Sequence, residues 1–384
     1  LYIIPSMCSW SILNFIIPSS KCVQQGPVTN YIQNDIYDYK YTTDYSIVNG
    51  YKNILLVESK NGHKGFRDCF LDDDMVAYII KSDIMVLMCT VADPGTEADL
   101  KKTIDFSKKL EIYDKIRYID SNVNLEKYDN VDAFHYFLEE AIQSKEIFFH
   151  SENNDLGYVS KKIQETDLDV VRSKKFLCFS RNNDKPHRLS LLHDYLTNDL
   201  SDSYFSFLQT VKPYCKTYHG DDKQLLPEEY NSIIPLELDT IGYNVNQFRT
   251  DNTLQKELFI DSVINIASET SFENNELFIS EKIIKPIISF QPFIVIGPCG
   301  YLSELKRLGF KTFSDFWDES YDEIENPKDR YLKIRKLILE LNNKTIKELN
   351  LLYKSLKHIC IYNNTHFNEY KVYDSMGKIF KKLQ

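Results

Sequence analysis

A cluster of charged residues begins a predicted helix in the segment FISEKIIKPIISFQPFIVIG, residues 278–297. On a helical wheel the isoleucines share one face, while Glu281, Lys282 and Lys285 lie on the other. Ser280 fits an N-cap, the helix dipole favours Glu281 in the first turn, and Glu281 can pair with Lys285 at i, i+4. The first turn of this helix is therefore the part of the segment that we expect to bind a ligand.

Two features on either side of this helix point to the same site. Upstream, the predicted strand VINIAS ends directly before Glu269; downstream, IVIGPCGYL predicts a strand, a turn and the start of a helix. Gly297 and Gly300 would let the backbone approach a ligand, and a helix beginning near Tyr301 would offer free N–H groups to an anion. Ligands of open α/β sheets bind outside the carboxyl ends of the strands, which is where these residues are expected.

Three short motifs in this half of the chain resemble the donor-binding core of the α1,3-fucosyltransferases. In that family a strand ending in A-F-E-N is followed by Y-[VI]-T-E-K-L, and P-x-R opens a helix further upstream. Here IASET (266–270), FISEKI (278–283) and PHR (186–188) stand in the matching places. The run 292–326 also resembles a stretch of uncharacterised glycosyltransferases that viruses and phages encode. The resemblance covers residues 175–340, under half the chain.

The resemblance implies an enzyme, a GT-B-type glycosyltransferase whose C-terminal domain holds a nucleotide diphosphate sugar. It implies inverting, metal-independent transfer to a hydroxyl of a carbohydrate or glycoprotein acceptor, as in glycan biosynthesis. Carried over position by position, Arg188 and Lys282 would contact the diphosphate, Glu281 would take ribose hydroxyls and Glu269 would face the sugar. Fixed cations stabilise the charge that develops on a diphosphate leaving group, and carboxylates accept hydrogen bonds from vicinal diols.

Departures from the family pattern leave the donor open between a GDP- and a UDP-sugar. Phe278 replaces the family's tyrosine, the insert between the two later motifs is longer, and SRN replaces S-N, which adds the cation Arg181 at a strand end. Lys285, Gly297 and Gly300 complete the predicted donor-binding set. No cofactor other than the donor substrate is expected.

The catalytic base would come from the N-terminal domain, at a strand end, and would deprotonate the acceptor hydroxyl. Glu152 is the first choice, because its SEN resembles a G-E-N stretch of the fucosyltransferases. Glu58, Asp93 and His150 are the other candidates.

Two alternatives remain open at the level of sequence. A metal-dependent sugar transferase could use Asp120, which follows the predicted strand KIRYIDS; the run Asp72-Asp73-Asp74 fits a cap or turn better. The second alternative is a non-catalytic protein that binds a carbohydrate or a nucleotide on the same fold.

The elements that would position these residues alternate between strands and helices, which indicates an α/β protein with parallel sheets. In the first half we predict strands at 53–59, 84–90, 115–121 and 146–152, and helices at 96–113 and 130–144. In the second half we predict strands at 175–181 and 292–297, a short one at KTF (311–313), and a helix over 258–270 that runs into the strand VINIAS (263–268). The other helices are predicted at 187–200, 280–290, 301–310, 328–358 and 363–383.

This order predicts two tandem Rossmann-like domains with the active cleft between them. The boundaries are 1–160 for the acceptor-side domain and 170–345 for the donor domain, with a linker over 152–174. The C-terminal helices, 346–384, would pack back across the domains.

Composition excludes several other classes of protein. The chain has 384 residues and a formal net charge of -10, which argues against a general nucleic-acid binder. Its eight cysteines form no C-x-x-C pair, so reduced thiols are expected rather than a zinc site. The absence of an 18-residue apolar run or a signal peptide predicts a cytoplasmic protein without a membrane segment, in the host cytoplasm if a virus encodes it.

Overall fold

The computed structural model describes residues 8–15, 39–42, 52–59, 73–81, 84–90, 94–143, 163–180, 185–208, 211, 216–219, 227–236, 238, 254–273 and 276–370. The chain divides into two compact units, each of which has most of its residue contacts within itself. The first comprises Leu1–Glu140, Glu276–Phe278 and Val372–Gln384, and the second comprises Ala141–Asn275 and Ile279–Lys371. The domain boundaries predicted from the sequence stay a prediction.

The first unit contains a six-stranded sheet in the order β2-β1-β3-β4-β5-β6. Its strands are β1 Cys8–Phe15, β2 Tyr39–Thr42, β3 Lys52–Ser59, β4 Ile84–Thr90, β5 Ile116–Asp120 and β6 Val131–Ala133. β3 to β6 are parallel, whereas β1 is antiparallel to both β2 and β3. The predicted strands at 53–59, 84–90 and 115–121 are confirmed, while the one at 146–152 lies outside the described residues.

Three helices are described in this part of the chain: α1 Asp73–Lys81, α2 Glu97–Lys109 and α3 Tyr136–Gln143, the last of which runs past the end of the first unit at Glu140. α2 begins where the Thr96 side chain accepts from the Asp99 N–H at 3.0 Å. It ends before the predicted residue 113, because Glu111 adopts a positive φ of 59°. The predicted helix at 130–144 is partly wrong: residues 131–133 pair with β5 as β6, and the helix begins only at Tyr136.

Apolar residues of the strands and of α1 and α2 form the core of the first unit. Fully buried members of this core are Ile79, Val86, Met88, Leu100, Ile112 and Tyr118. The Tyr118 hydroxyl lies 2.9 Å from the Ser107 hydroxyl, so the largest of these side chains is also satisfied as a polar group.

The second unit contains a four-stranded parallel sheet in the order β10-β9-β7-β8. Its strands are β7 Lys174–Ser180, β8 Tyr204–Phe207, β9 Ser262–Ser268 and β10 Phe293–Ile296. Every residue of β9 is buried, as expected for a central strand of a parallel sheet with helices on both faces. The predicted strands over 175–181, 263–268 and 292–297 are confirmed, so the chain is an α/β protein with parallel-strand sheets.

The predicted strand at KTF is wrong. The Lys311 N–H donates to Asn363 Oδ1 at 2.8 Å and the Phe313 N–H donates to Glu319 Oε1 at 2.8 Å. Side chains thus take the amide groups that a neighbouring strand would need, and the segment stays outside the sheet.

The helices described in the second unit are α4 Pro186–Thr197, α5 Pro227–Asn231, α6 Lys256–Asp261, α7 Glu281–Ile288, α8 Tyr301–Arg307, α9 Pro327–Asn342 and α10 Ile346–Glu369. The pattern over 328–358 is split, because Thr345 and Glu348 form a capping box that starts a new helix. α10 contacts α7, β7 and β9 within the second unit. Within the described ranges, no helix combines the length and the hydropathy that crossing a bilayer requires.

Candidate active site

The candidate site lies at the carboxyl edge of the parallel sheet in the second unit. Here the end of β9 and the first residues of α7 and α8 come together around one side chain, Glu269. Its carboxylate accepts from the Ser280 hydroxyl through Oε2 at 2.6 Å and from the Tyr301 hydroxyl through Oε1 at 2.6 Å. The Glu269 N–H donates to the Ile296 carbonyl at 2.9 Å, which extends the pairing of β9 with β10.

Glu269 has no exposed surface, and burial raises the pKa of its carboxyl group above the ordinary value. The positive charge of Lys282 opposes this shift, and the negative charge of Glu281 adds to it. Tyr301 is also buried, and burial together with the neighbouring Glu269 raises its pKa well above the usual range. Tyr301 is therefore a donor to Glu269 at every physiological pH.

The backbone at the end of β9 is held by two residues from the first turn of α4. The Arg188 guanidinium donates through Nη2 to the carbonyls of Ser268 at 3.1 Å and Glu269 at 3.0 Å. His187 Nε2 lies 3.0 Å from the same Glu269 carbonyl, so this nitrogen must carry the proton. Burial, with the adjacent Arg188 charge, lowers the pKa of His187 well below its usual value, so the ring is neutral.

The predicted phosphate ligand Arg188 is therefore a buried side chain, 4% exposed, that also organises the backbone of the sheet edge. Burial lowers its pKa, while Glu269, Cys178 and Glu281 raise it. Its contact with a diphosphate stays a prediction. The neighbouring His187 stacks on Phe272 with ring centroids 4.9 Å apart, so its ring also packs within the second unit.

The first turn of α7 carries the partly exposed charges of the site. Ser280 is the N-cap, as predicted, and its Oγ accepts from the Lys282 N–H at 3.2 Å. Lys282 Nζ lies 2.6 Å from Glu281 Oε1, and the two side chains are 24% and 14% exposed. Burial raises the pKa of Glu281, but Lys282 and then Lys285 outweigh burial and leave this pKa below its usual value.

Lys285 lies on the helix face opposite the isoleucines, but that face is not open to solvent at this position. Lys285 is 7% exposed, and its Nζ lies 5.7 Å from the ring centroid of Phe179 in β7. The partner of Glu281 in the ion pair is Lys282, not Lys285. α7 contacts β9, β10 and α10, and a helical wheel contains no information about these neighbours. A donor-binding role for Lys285 stays a prediction.

The prediction of free N–H groups at the start of α8 was also wrong. The Asp322 carboxylate accepts from the N–H groups of Leu302 at 2.8 Å and Ser303 at 2.9 Å. The Asp322 carbonyl accepts from the Gly300 N–H at 2.8 Å. A carboxylate of the chain itself thus occupies the helix end that was expected to receive an anion.

The two glycines before α8 serve the local backbone. Gly300 adopts a φ of 81°, a left-handed conformation that favours glycine at the position before the helix. A Cβ at Gly297 would lie 3.2 Å from the Tyr301 ring and 3.0 Å from Val295 Cγ1, so the close approach seen here is to protein. The Gly297 carbonyl accepts from Arg330 Nε at 3.1 Å. Contact of either glycine with a donor stays a prediction.

Several predicted site residues fall outside the part of the chain that the structure describes. These are the first-choice base Glu152, the alternatives Asp93 and His150, and the strand-end cation Arg181. Glu58 lies in β3 opposite Cys89 of β4, with its side chain outside the description. The identity of the base therefore stays a prediction.

Asp120, the residue of the metal-dependent alternative, lies at the carboxyl end of β5 in the first unit. Its two carboxylate oxygens each lie 3.1 Å from the Gly95 N–H, and Oδ1 also accepts from the Asn122 N–H at 2.7 Å. The carboxylate thus holds the loop before α2 in place. Across the described ranges, no three His, Cys, Asp or Glu side chains are grouped as metal ligands would be.

Sequence reasoning missed two residues that complete the site, Tyr301 and Asp322. Tyr301 was noted only as the start of a helix, and Asp322 was not considered. The sequence gives a weak indication for Tyr301, because this residue directly follows the glycine turn after β10. β10 ends at the same edge of the sheet as β9, which leads to Glu269. Asp322 has no such indication, because its contacts join segments 20 residues apart.

Comparisons with known proteins add one distant likeness. No protein-family model matches the chain, and no curated protein matches it. Among solved structures, the chain is similar to one described as "Crystal Structure of alpha1,3-Fucosyltransferase", with 14% sequence identity and a TM-score of 0.30. The likeness covers 76% of this chain and 78% of that chain. At this TM-score it carries no argument about function.

Proposed function

We propose that this protein is a GT-B-type glycosyltransferase that moves a sugar from a nucleotide diphosphate sugar to an acceptor hydroxyl. The donor would bind in the second unit, at the carboxyl edge of β9. The observation that carries the proposal is the Glu281–Lys282 pair. It stands partly exposed on the first turn of a helix beside a parallel-strand end, in the E-K positions of the family motif.

The chemistry of this pair suits a nucleotide diphosphate. A Lys282 ammonium placed on the diphosphate would stabilise the negative charge that develops as the sugar leaves. Glu281 has a lowered pKa and is ionised at neutral pH, so its oxygens are acceptors for ribose hydroxyls. Lys285 lies close enough to lower the pKa of Glu281, and Glu281 lies close enough to raise the pKa of Arg188. Positive charges therefore offset the negative charge of the carboxylates in this site.

The proposed reaction is an in-line attack by the acceptor hydroxyl with inversion at the sugar carbon. The hydroxyl proton would pass to a carboxylate base, for which Glu152 is the candidate. The leaving nucleoside diphosphate would keep its negative charge against Lys282. The acceptor is proposed to be a carbohydrate or glycoprotein, and the donor a GDP- or UDP-sugar.

Binding of nucleotides to the purified protein tests the donor site first. We expect GDP or UDP to raise the melting temperature, and Lys282→Ala to weaken binding of that nucleotide about 10- to 100-fold, because a charge-assisted contact is lost. The matched control is Lys333→Ala, which removes a lysine from a 2.7 Å ion pair with Asp318 elsewhere in the same unit. Equal affinity in wild type and Lys282→Ala would refute the assignment of Lys282.

Turnover on a panel of nucleotide sugars then separates the alternatives. Hydrolysis or transfer of one donor supports the enzyme, whereas binding without turnover supports a non-catalytic nucleotide-binding protein. Loss of turnover in EDTA, restored by a divalent cation, would replace the metal-independent mechanism with the metal-dependent one. If no nucleotide binds, the proposed function is wrong.

A further inference from the structure

One carboxylate, that of Glu269, ties together three segments of the second unit. It stands directly after β9, receives the hydroxyl of Ser280 before α7, and receives the hydroxyl of Tyr301 at the start of α8. Glu269 is 0% exposed, and Ser280 and Tyr301 are each 1% exposed. Each carboxylate oxygen already accepts one short hydrogen bond from the protein, at 2.6 Å.

The contact with Ser280 extends to the charged first turn of α7. A serine hydroxyl has one proton, and here it points to Glu269 Oε2. The lone pairs of the same oxygen then face the Lys282 N–H, 3.2 Å away, which is the N-cap hydrogen bond of the helix. The Glu269 carboxyl group therefore orients the hydroxyl that orders the backbone of Lys282.

A second path runs from Glu269 to the neighbouring helix. The Tyr301 hydroxyl reaches the other oxygen, while its ring lies against Gly297, where a Cβ would be only 3.2 Å from the ring. The ends of β9 and β10 and the starts of α7 and α8 are thus fixed relative to one another through one buried acid. Losing the Ser280 hydroxyl would loosen α7, and losing the Tyr301 hydroxyl would loosen α8. Both losses act through the Glu269 carboxylate.

We infer that Glu269 is a positioning residue of the donor site, which fixes the first turn of α7 and thereby Glu281 and Lys282, and does not itself contact the sugar. The inference rests on the proposed nucleotide-sugar site. It assigns Glu269 a role different from the one that the family resemblance implies. The reason is that a fully buried carboxylate, bonded to two protein hydroxyls, offers no surface to a donor.

The test compares two ligands on the same variants by titration calorimetry: the nucleoside diphosphate that the wild type binds, and the nucleotide sugar built on it. A sugar-contacting Glu269 predicts that Glu269→Gln weakens binding of the nucleotide sugar and leaves the diphosphate unchanged. A positioning Glu269 predicts that Glu269→Gln and Ser280→Ala weaken both ligands by the same factor, about tenfold. A selective loss of the sugar compound would overturn the inference.

Tyr301→Phe is the mildest perturbation, since it removes one oxygen atom and keeps the ring. We expect it to lower the affinities for the two ligands by the same factor, and by less than Glu269→Gln does. Its control is Tyr331→Phe, the same change at a buried tyrosine whose hydroxyl donates to the Asp194 carboxylate at 2.9 Å. Tyr331→Phe should leave both affinities unchanged. The double variant Glu269→Gln with Ser280→Ala should cost less than the two single losses combined, because they break one path.

Hydrogen exchange supplies a measurement that needs no ligand. In Glu269→Gln and in Ser280→Ala, the Lys282 amide should exchange about tenfold faster than in wild type, while amides in the middle of α9 stay protected. Unchanged exchange at Lys282 would overturn the inference even if affinity falls. If the wild type binds no nucleotide, the proposed function fails, and the exchange rates still show whether Glu269 orders α7.

Discussion

Removing the Asp322 carboxylate should destabilise the second unit and should not tighten the binding of nucleotide. Asp322 is 6% exposed and accepts from the Leu302 N–H at 2.8 Å and the Ser303 N–H at 2.9 Å. The Ser303 hydroxyl donates to the same carboxylate at 2.9 Å. In Asp322→Ala, the Leu302 N–H at the start of α8 becomes a buried donor without its acceptor.

The expected loss is about 3 kcal/mol. An N-cap is worth roughly 0.5–2 kcal/mol, and a hydrogen bond to a charged group about 1.5–3 kcal/mol, and these overlap because they describe the same contacts. For a domain of this size, 1 kcal/mol corresponds to about 2–4 °C in melting temperature, so Asp322→Ala should lower it by roughly 6–12 °C. Asp322→Asn keeps one acceptor oxygen and should lose about half as much.

Scanning calorimetry measures the stability, and nucleotide titration measures the function of the helix end. If the start of α8 were instead a phosphate site that Asp322 merely fills in the absence of ligand, deleting the carboxylate would free two N–H groups. Nucleoside diphosphate would then bind more tightly and the melting temperature would barely change. That combination would refute the interpretation of Asp322 as a structural cap.

Two further predictions concern the stability of the fold, one in each unit. Arg330 donates to four backbone carbonyls, those of Gly297, Ile324, Glu325 and Phe272. Arg330→Lys should therefore lower the free energy of unfolding, measured with denaturant, by more than about 3 kcal/mol. A loss under about 1 kcal/mol would show that these contacts are not needed. Hydrogen bonds from Lys127, then Tyr128 and Lys101, lower the pKa of Glu97 to about 2. The contribution of Glu97 to the free energy of unfolding is therefore fully present above the ordinary pKa of 4.5 and is lost as the pH falls through about 2. Because its side chain is 41% exposed, Glu97→Gln should cost at most about 1 kcal/mol at pH 7 and progressively less toward low pH, and a cost that grows on acidification would contradict this sign.

The buried parallel strands could be predicted from the sequence, because both faces are covered and each reads as a continuous apolar run. NILLVES and IMVLMCT in the first unit and VINIAS and PFIVIG in the second all form strands, close to the predicted bounds. The strands β1, β2, β6 and β8 were not predicted. β6 has three residues and leads almost directly into a helix, so its sequence pattern merges with the helical one.

The positions of the site residues along the chain could be predicted from the sequence, but the surroundings of their side chains could not. Glu269 and the Glu281–Lys282 pair follow from strand ends and a helix start, and the structure brings them to one sheet edge. The burial of Lys285 and the cap by Asp322 depend on which elements cover α7 and α8. A helical wheel or a local motif contains no information about those neighbours.

The two carboxylates of the site differ because their surroundings differ. Glu269 is buried between two hydroxyl donors, and burial raises its pKa; Glu281 faces Lys282, which lowers its pKa despite burial. Carboxylates whose pKa values are driven apart in this way commonly have separate roles. In the proposed donor site, the exposed member would meet the nucleotide, and the buried member would hold the turn from which it does so.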